Sequence, residues 1–194
     1  MRSAATWLDR SRLAIAMAVA IVFVGACKGG GWSTYGGDGF RVDVPAAPEV
    51  STEKQLTGAT FTEVHRIVVK GGARGYLQVV FYTVDVPHDA VASAEKLDCE
   101  YPYTKSKFVA DASRDLQISG APAVGISGTA PPSESLPNGG FEEDRCVIVG
   151  TRMYHAMAIG PNTDSSRADL HRFLDSFAID SPAVGSAHQT TSTP

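Results

Sequence analysis

The sequence has few of the residue patterns on which catalysis, metal binding and phosphate binding usually depend. Its 194 residues include only three cysteines and five histidines. No cysteine has a second cysteine or a histidine at the spacing of zinc ligands, and no two histidines are two or four residues apart. A Gly-x-Ser-x-Gly motif and a glycine-rich phosphate loop with a lysine are both absent. From these absences we predict no catalytic residue, no metal ligand and no cofactor.

The chain also lacks a run of basic residues. It has 17 basic and 21 acidic side chains, and three of the arginines precede residue 13. Residues 27–194 therefore carry a net charge of about −6, which disfavours binding to nucleic acid. No polybasic patch is present to hold the protein on an anionic membrane surface. The charge distribution thus excludes nucleic acid as the expected partner.

No uncharged apolar run is long enough for a permanent membrane-spanning helix. The longest, Leu13–Val24, has twelve residues, whereas a span needs roughly 20. It follows a positively charged segment, as the apolar part of a secretory signal peptide does. The stretch Val24–Cys27 resembles the lipobox of bacterial lipoproteins, in which an aliphatic residue, here Val24, and two small residues precede a cysteine.

The lipobox-like motif predicts cleavage and lipid attachment. We expect residues 1–26 to be a lipoprotein signal peptide and the thiol of Cys27 to carry diacylglycerol, with palmitate among the acyl chains. Each buried CH₂ group contributes about 0.8 kcal/mol, so two or three chains hold a protein on a membrane. The predicted location is the bacterial cell envelope, outside the cytoplasm. The alternative is an ordinary signal peptide or an uncleaved anchor in which Cys27 has no role.

The two remaining cysteines, Cys99 and Cys146, predict a disulfide. An exported domain meets an oxidising compartment, where such a pair usually becomes oxidised. Closing a loop of about 48 residues stabilises a fold by roughly 4 kcal/mol in the chain-entropy model. The alternative is a pair of separate buried thiols.

Composition and periodicity divide the chain into a tether, a domain and a tail. Residues 27–38 are rich in glycine and predict a flexible tether, and residues 181–194 predict a disordered tail. Residues 39–180 predict one globular domain with three strands, a helix, four strands and a last helix. Within it, residues 46–56 predict a loop, Tyr101-Pro102-Tyr103 is expected to end the first helix, and residues 104–114 predict irregular structure or a short helix. Because hairpins dominate, the fold class is α+β, an antiparallel sheet of about six or seven strands with helices packed on it.

Three short motifs in this domain resemble those of the PsbP-like domain of bacterial lipoproteins and secreted proteins. They are GFRVDVP at residues 39–45, the strand sequence RMY at 152–154 and FLDSF at 173–177. The resemblance covers about residues 38–180 and implies an α/β/α sandwich around an antiparallel sheet. Well-known relatives are a lumenal extrinsic subunit of photosystem II and a Ran-binding nuclear transport protein. The resemblance therefore implies a non-catalytic binding or assembly module, but no particular partner.

Dispersed polar residues leave one catalytic alternative. His65 and His155 both lie on predicted strands and could approach each other across the sheet, with Glu142 as a third member. Such a site would make the protein an envelope hydrolase. The acidic run at residues 142–144 lacks the spaced oxygen ligands and turn glycine of a Ca²⁺ loop. It is expected to be a solvated entry to a strand.

The surface most suited to a partner comprises Tyr101, Tyr103 and the loop 131–140. Our leading hypothesis is a membrane-tethered lipoprotein that acts as a non-catalytic binding or assembly module for another envelope protein. The alternatives are the hydrolase and a structural or stress-related surface lipoprotein. A pocket of clustered His, Asp and Glu side chains would favour the hydrolase. A broad exposed apolar patch would favour the binding module.

Overall fold

The computed structural model describes residues 31–57, 60–70, 75–105, 108–134 and 136–180. The predicted signal peptide, Cys27 and the predicted tail lie outside these described residues. Within them, neither helix combines the length and the apolar character that crossing a membrane requires.

Ten strands and two helices make up the described part of the chain. The strands are β1 (Ser33–Gly37), β2 (Phe40–Val44), β3 (Glu49–Thr57), β4 (Thr60–Lys70), β5 (Tyr76–Thr83), β6 (Val109–Ile118), β7 (Ala121–Ala130), β8 (Gly140–Val149), β9 (Arg152–Pro161) and β10 (Ala178–Ile179). The helices are α1 (Val91–Lys105) and α2 (Asp164–Ser176), and a 3₁₀ turn at His88–Ala90 precedes α1.

Seven of the strands form one sheet in the order β3-β4-β5-β9-β8-β7-β6. Every neighbouring pair in it is antiparallel. Strands β1, β2 and β10 form a second, smaller antiparallel sheet. The predicted α+β class, an antiparallel sheet of six or seven strands with helices packed on it, is confirmed.

The two faces of the large sheet carry different helices. Helix α2 packs on β9 and on the small sheet, over a core that includes Phe40, Tyr154 and Phe173. Helix α1 packs over β7 and β8 on the opposite side, around a smaller core that includes Cys99 and Ile126. We call these sides the α2 face and the α1 face. Because successive strand residues point to opposite faces, each central strand contributes to both cores.

Two stretches that we predicted to lack regular structure are edge strands. Residues 46–56 were expected to be a loop, but Glu49–Thr57 form β3 and pair with β4. Residues 104–114 were expected to be irregular or a short helix, but β6 begins at Val109 and pairs with β7. Most of β6 is exposed, and the described side chains of β3 are exposed as well. Edge strands of this kind lack the apolar alternation that identifies a half-buried strand in a sequence.

Helix α1 continues beyond the point where we predicted its end. The Tyr101-Pro102-Tyr103 sequence was expected to stop it, yet Pro102 lies inside the helix, which ends at Lys105. A proline inside a helix removes one backbone hydrogen bond and usually kinks or ends the helix. Here the ring of Tyr103 packs against the core of the α1 face, and this tertiary contact stabilises the last turn. Tyr101 and Tyr103 are therefore helical residues.

Part of the predicted tether belongs to the folded structure. Ser33–Gly37 form β1 and pair along their whole length with β2. The ring of Tyr35 lies 5.9 Å from that of Phe40, and the guanidinium of Arg172 lies 4.7 Å from the ring of Trp32. The prediction of a flexible segment over 27–38 is wrong for these residues, because two aromatic side chains dock a glycine-rich strand onto the domain. Residues 27–30 lie outside the described residues.

Candidate functional site

An open groove lies on the α1 face, beside helix α1. Within the described residues, helix α1 does not cover this part of the sheet. It has a volume of about 490 Å³. Strands β3, β4, β5 and β9 form its floor, and α1 forms one wall. Its polar lining residues are Gln55, Thr62, Arg66, Gln78, Tyr82, Asp98, Tyr101 and His155.

Strand alternation places a group of acidic and sulfur-containing side chains under α1. In β8, Glu142, Asp144 and Cys146 lie on the α1 face and are buried. The antiparallel register sets Cys146 opposite His155 of β9. The expected solvated strand entry at residues 142–144 is therefore wrong. The acidic run occupies a central strand that is covered on both sides, so its carboxyl groups are removed from water.

His155 lies between two carboxyl groups. Its Nε2 is 2.7 Å from Oδ1 of Asp144, and its Nδ1 is 3.2 Å from Oδ2 of Asp98. The side chain of His155 is 9% exposed, that of Asp144 is fully buried and that of Asp98 is 20% exposed. Both ring nitrogens are thus engaged, and His155 and Asp98 line the groove.

The environment of His155 favours the charged imidazolium. Burial alone lowers its pKa, but the bonds to Asp144 and Asp98 outweigh burial and raise the pKa to about 10. Burial also acts to raise the pKa of Asp98, yet the bond to His155 holds it below its usual value. For Asp144, burial is the stronger effect and raises the pKa despite the same partner. At neutral pH the cluster therefore contains a histidine that holds its proton.

Glu142 is the most poorly satisfied group of the site. Both of its carboxyl oxygens, and Oδ2 of Asp144, are buried without a hydrogen-bond partner among the described residues. Burial, reinforced by the nearby charge of Asp144, raises the pKa of Glu142 to about 8. Buried unpartnered carboxylates are costly, so neutralisation by a proton is the expected response. At pH 7 the Glu142 side chain is mainly a neutral carboxylic acid.

Two tyrosines support the cluster from either side. The hydroxyl of Tyr82 donates a hydrogen bond to Asp98, and that of Tyr103 donates to the backbone carbonyl of Ile126 over 3.2 Å. Burial raises the pKa of both phenols well above their usual value. They act as neutral donors that fix α1 over the sheet.

The disulfide predicted between Cys99 and Cys146 is present. It joins α1 to β8, with a Cα–Cα distance of 5.8 Å and a sequence separation of 47 residues. Since Asp98 directly precedes Cys99, the bond also fixes the position of the carboxyl group that contacts His155. A disulfide of this kind fits an oxidising compartment.

The two tyrosines predicted to contact a partner have different environments. Tyr101 is 62% exposed and lines the groove, in a position suited to contacts with another molecule. Tyr103 is half-buried, and its hydroxyl is bonded inside the protein. Tyr103 is therefore a supporting residue, while the partner-binding role of Tyr101 stays a prediction. The loop 131–140 does not line the groove.

The three-residue hydrolase site is not assembled. His65 stacks on Phe81 with ring centroids 4.6 Å apart, and Phe81 belongs to the core of the α2 face. His155 lies on the α1 face, so the sheet separates the two histidines. The expectation that they approach each other is wrong because they occupy opposite alternation phases of their strands. Glu142 and His155, in contrast, do share one face.

The sequence analysis missed the two aspartates that contact His155. Asp98 lies on a helix and Asp144 on a strand, with 45 positions between them, so no local motif joins them. One signal was available, because each aspartate lies within two residues of a cysteine of the predicted disulfide. A crosslink between these cysteines brings their neighbours together. Glu95 of α1 is also buried and accepts a hydrogen bond from the backbone amide of Ile148 over 2.7 Å.

Comparison with known proteins finds similarity in fold but not in sequence family. No family model and no curated protein matches the sequence. Among solved structures, the solution structure of cyanobacterial PsbP (CyanoP) from Synechocystis sp. PCC 6803 matches 80% of this chain and 98% of its own, with 11% identity and a TM-score of 0.46. The chain is similar in fold to cyanobacterial PsbP.

Proposed function

We propose that this protein is a non-catalytic binding module of the bacterial cell envelope, whose groove on the α1 face holds a segment of another envelope protein. The observation that carries the proposal is the open groove of about 490 Å³, with the exposed Tyr101 on its wall. Grooves that combine apolar and polar lining groups are the usual form of a binding site. Leu97, one helical turn before Tyr101 on α1, is also exposed, at 67%.

The opposite rim of the groove offers charged and polar groups. Arg66 donates to Glu53 through its Nε over 2.7 Å, and Gln55 donates to the same carboxylate over 2.9 Å. These side chains are arranged across β3 and β4, next to the sheet edge. A segment with both apolar and polar side chains matches a groove with an apolar rim on α1 and a polar rim on β3 and β4.

The chemistry of the groove supports binding more than catalysis. A general base needs a ring nitrogen that can reach the substrate, and both nitrogens of His155 already contact carboxyl groups of the protein. Among the lining residues the only hydroxyl nucleophile of the serine or threonine type is Thr62. We therefore assign the Asp98–His155–Asp144 group a structural role in the groove wall.

Lipid attachment at Cys27 is the second part of the proposal. It rests on the sequence motif and on the disulfide, which fits an exported protein. The test is metabolic labelling with a clickable palmitate analogue. The wild-type chain is expected to take up the label and to partition with membranes, and Cys27→Ser is expected to do neither. Labelling that persists in Cys27→Ser would contradict the assignment.

The groove is tested by site-specific photocrosslinking in the native cells. A photoreactive amino acid replaces Tyr101 in one strain and Val50 in another. Val50 is the matched control because it is 45% exposed but lies opposite Ile67, on the α2 side of the sheet. We expect one envelope protein to be crosslinked reproducibly from position 101 and not from position 50. Equal recovery from both positions, or none above background, would overturn the groove as the binding site.

One observation favours the hydrolase as a second candidate. A histidine flanked by two carboxyl groups lines an open groove, which is the clustered pocket expected of an enzyme. The purified domain should be screened with fluorogenic esters and peptides. Hydrolysis that is lost in His155→Asn while circular dichroism shows that this variant is folded, and that is kept in His65→Asn, would establish this candidate. No hydrolysis with any substrate class would leave the binding module as the better account.

A further inference from the structure

The disulfide lies against a histidine in an arrangement that the sequence spacing did not reveal. One potential ligand atom from each of Cys99, Cys146 and His155 lies within 4.8 Å of the others, and all three residues are buried. Two thiolates and an imidazole are a common donor set for zinc. In the oxidised protein the two sulfur atoms are bonded to each other and are not thiolates.

A fourth donor lies next to these three. Oδ2 of Asp98 is 3.2 Å from Nδ1 of His155 and 3.9 Å from Sγ of Cys146. In a tetrahedral zinc site with Zn–N and Zn–O near 2.0 Å and Zn–S near 2.3 Å, neighbouring ligand atoms are about 3.3–3.8 Å apart. The two measured distances are close to this range. The donors therefore need little rearrangement once the sulfur atoms separate.

The other ring nitrogen of His155 has the partner that metal-bound histidines usually have. Nε2 lies 2.7 Å from Oδ1 of the fully buried Asp144. A carboxylate in this position accepts the remaining N–H, fixes the tautomer and orients the ring toward the metal. The groove, which both Asp98 and His155 line, provides a path by which an ion can enter.

We propose that the reduced protein binds one zinc-like divalent cation through Cys99, Cys146, His155 and Asp98, and that the disulfide closes this site. A dithiol reductant opens it by exchange. The protein S–S bond breaks, each protein sulfur gains a proton, and the reductant becomes a disulfide. On binding, the two thiols and Nδ1 of the His155 imidazolium release their protons, and the cation is held by the two thiolates, Nδ1 and Oδ2 of Asp98. The oxidation state of Cys99 and Cys146 then determines whether the metal site can form.

The test is a Co²⁺ titration of the full chain in two redox states. All proteins carry Cys27→Ser, so only Cys99 and Cys146 supply thiols. Reduction uses a trialkylphosphine, which is oxidised to its oxide and does not compete as a thiol ligand. We expect the reduced protein to bind one equivalent of Co²⁺ with a thiolate-to-cobalt charge-transfer band and the strong visible bands of tetrahedral Co²⁺. The oxidised protein should show neither.

Substitutions separate ligands from the supporting group. His155→Asn and Asp98→Asn should each change the visible bands and weaken binding, while His65→Asn, on the opposite face, should change nothing. Asp144→Asn should keep the ligand set and therefore the spectrum, but lower the affinity about 10–100-fold. Spectra that are the same in His155→Asn and in the wild type would overturn the assignment of His155 as a ligand.

Two further outcomes decide against the site. Equal Co²⁺ binding by oxidised and reduced protein would place the ion elsewhere, and the absence of charge-transfer bands after reduction would show that the thiolates do not bind it. If reduction unfolds the chain, Zn²⁺ should restore the far-ultraviolet circular dichroism spectrum of the folded protein, because metal binding is coupled to folding. Failure of Zn²⁺ to restore it would equally overturn the proposal.

Discussion

The Nε2 atom of His155 lies 2.7 Å from Oδ1 of Asp144, in a position where the Asp144 side chain is fully buried. This pair joins the two neighbouring strands β8 and β9. On the groove side, Oδ2 of Asp98 on α1 lies 3.2 Å from the other ring nitrogen, Nδ1. One imidazole thereby connects the sheet to the helix that covers it. Five expectations follow for the stability of the domain.

Replacing His155 should be strongly destabilising. His155→Asn removes the cation between Asp98 and Asp144 and leaves two carboxyl groups, one of them fully buried, without it. Breaking a buried ion pair from one side costs about 3–5 kcal/mol. Urea unfolding at pH 7 measures the loss. The control is His65→Asn, which affects a partly exposed histidine on the other face and should cost much less; equal losses would contradict the role of His155.

Glu142→Gln should remove a pH-dependent loss of stability. The pKa of Glu142 is raised from 4.5 to about 8, so between these pH values the folded state holds a proton that the unfolded chain has released. The free energy of unfolding is therefore highest below pH 4.5, and it falls as the pH rises from 4.5 through 8. With about 1.4 kcal/mol per pKa unit, the variant should exceed the wild type by a few kcal/mol at pH 9.

The comparison is made by thermal and urea unfolding from pH 5 to pH 9. The raised pKa of His155 also lowers stability at high pH, but it does so in both proteins, so the difference between them isolates Glu142. The exposed Glu134 provides the control, and Glu134→Gln should follow the wild type throughout. A Glu142→Gln curve parallel to the wild type would show that Glu142 does not take up this proton.

Loss of the disulfide should cost about 2–4 kcal/mol, since it closes a loop across 47 positions. The variant Cys99→Ala/Cys146→Ala, in a Cys27→Ser background, avoids free thiols and is compared with Cys27→Ser alone in metal-free buffer. We expect a lower urea midpoint and a slope that is no smaller, because the unfolded chain without the crosslink is less compact. An unchanged midpoint would mean that strain in the native state offsets the entropic gain.

Gly128→Ala should disturb the support of the cluster. A Cβ atom at Gly128 would lie 2.5 Å from both Cε1 of Tyr103 and the backbone carbonyl oxygen of Val109. The helix or the edge strand must move, at a cost of about 1–3 kcal/mol. Gly36→Ala is the matched control, because nothing lies within 4 Å of its Cβ position. Similar melting temperatures for the two variants would contradict the close packing of Tyr103 on β7.

Trp32→Ala tests whether the N-terminal glycine-rich segment is part of the fold. The Trp32 ring packs against the core of the α2 face and under the Arg172 guanidinium. Losing this packing and the cation–π contact should cost about 1–2 kcal/mol. The exposed Ser33 serves as control through Ser33→Ala, for which no change is expected. If Trp32→Ala were equally neutral, the segment would behave as the flexible tether that the composition suggested.

Much of the fold was predictable from the sequence because the central elements have clear apolar patterns. Strand β9 is apolar on both faces, as a covered central strand is, and α2 has its apolar residues Leu170, Phe173 and Leu174 on one side. Edge strand β3 and the first part of edge strand β6 were not predictable, since exposure on the outside of a sheet removes the apolar signal that periodicity depends on. The continuation of α1 through Pro102 was also missed, because the packing of Tyr103 outweighs the local preference of proline.

By itself, the sequence determined the fold class, the disulfide partners and the motif around Cys27. Each depends on local periodicity, on residue count or on a short contiguous motif. Only the tertiary structure decided which polar residues meet. Alternation phase put His65 and His155 on opposite faces of one sheet, and antiparallel register set Cys146 beside His155. Helix α1 then placed Asp98 over both. Asp98 and Cys146 are 48 positions apart in the chain, so no local motif joins them, and the pairing of Cys146 with His155 depends on the register across the turn between β8 and β9.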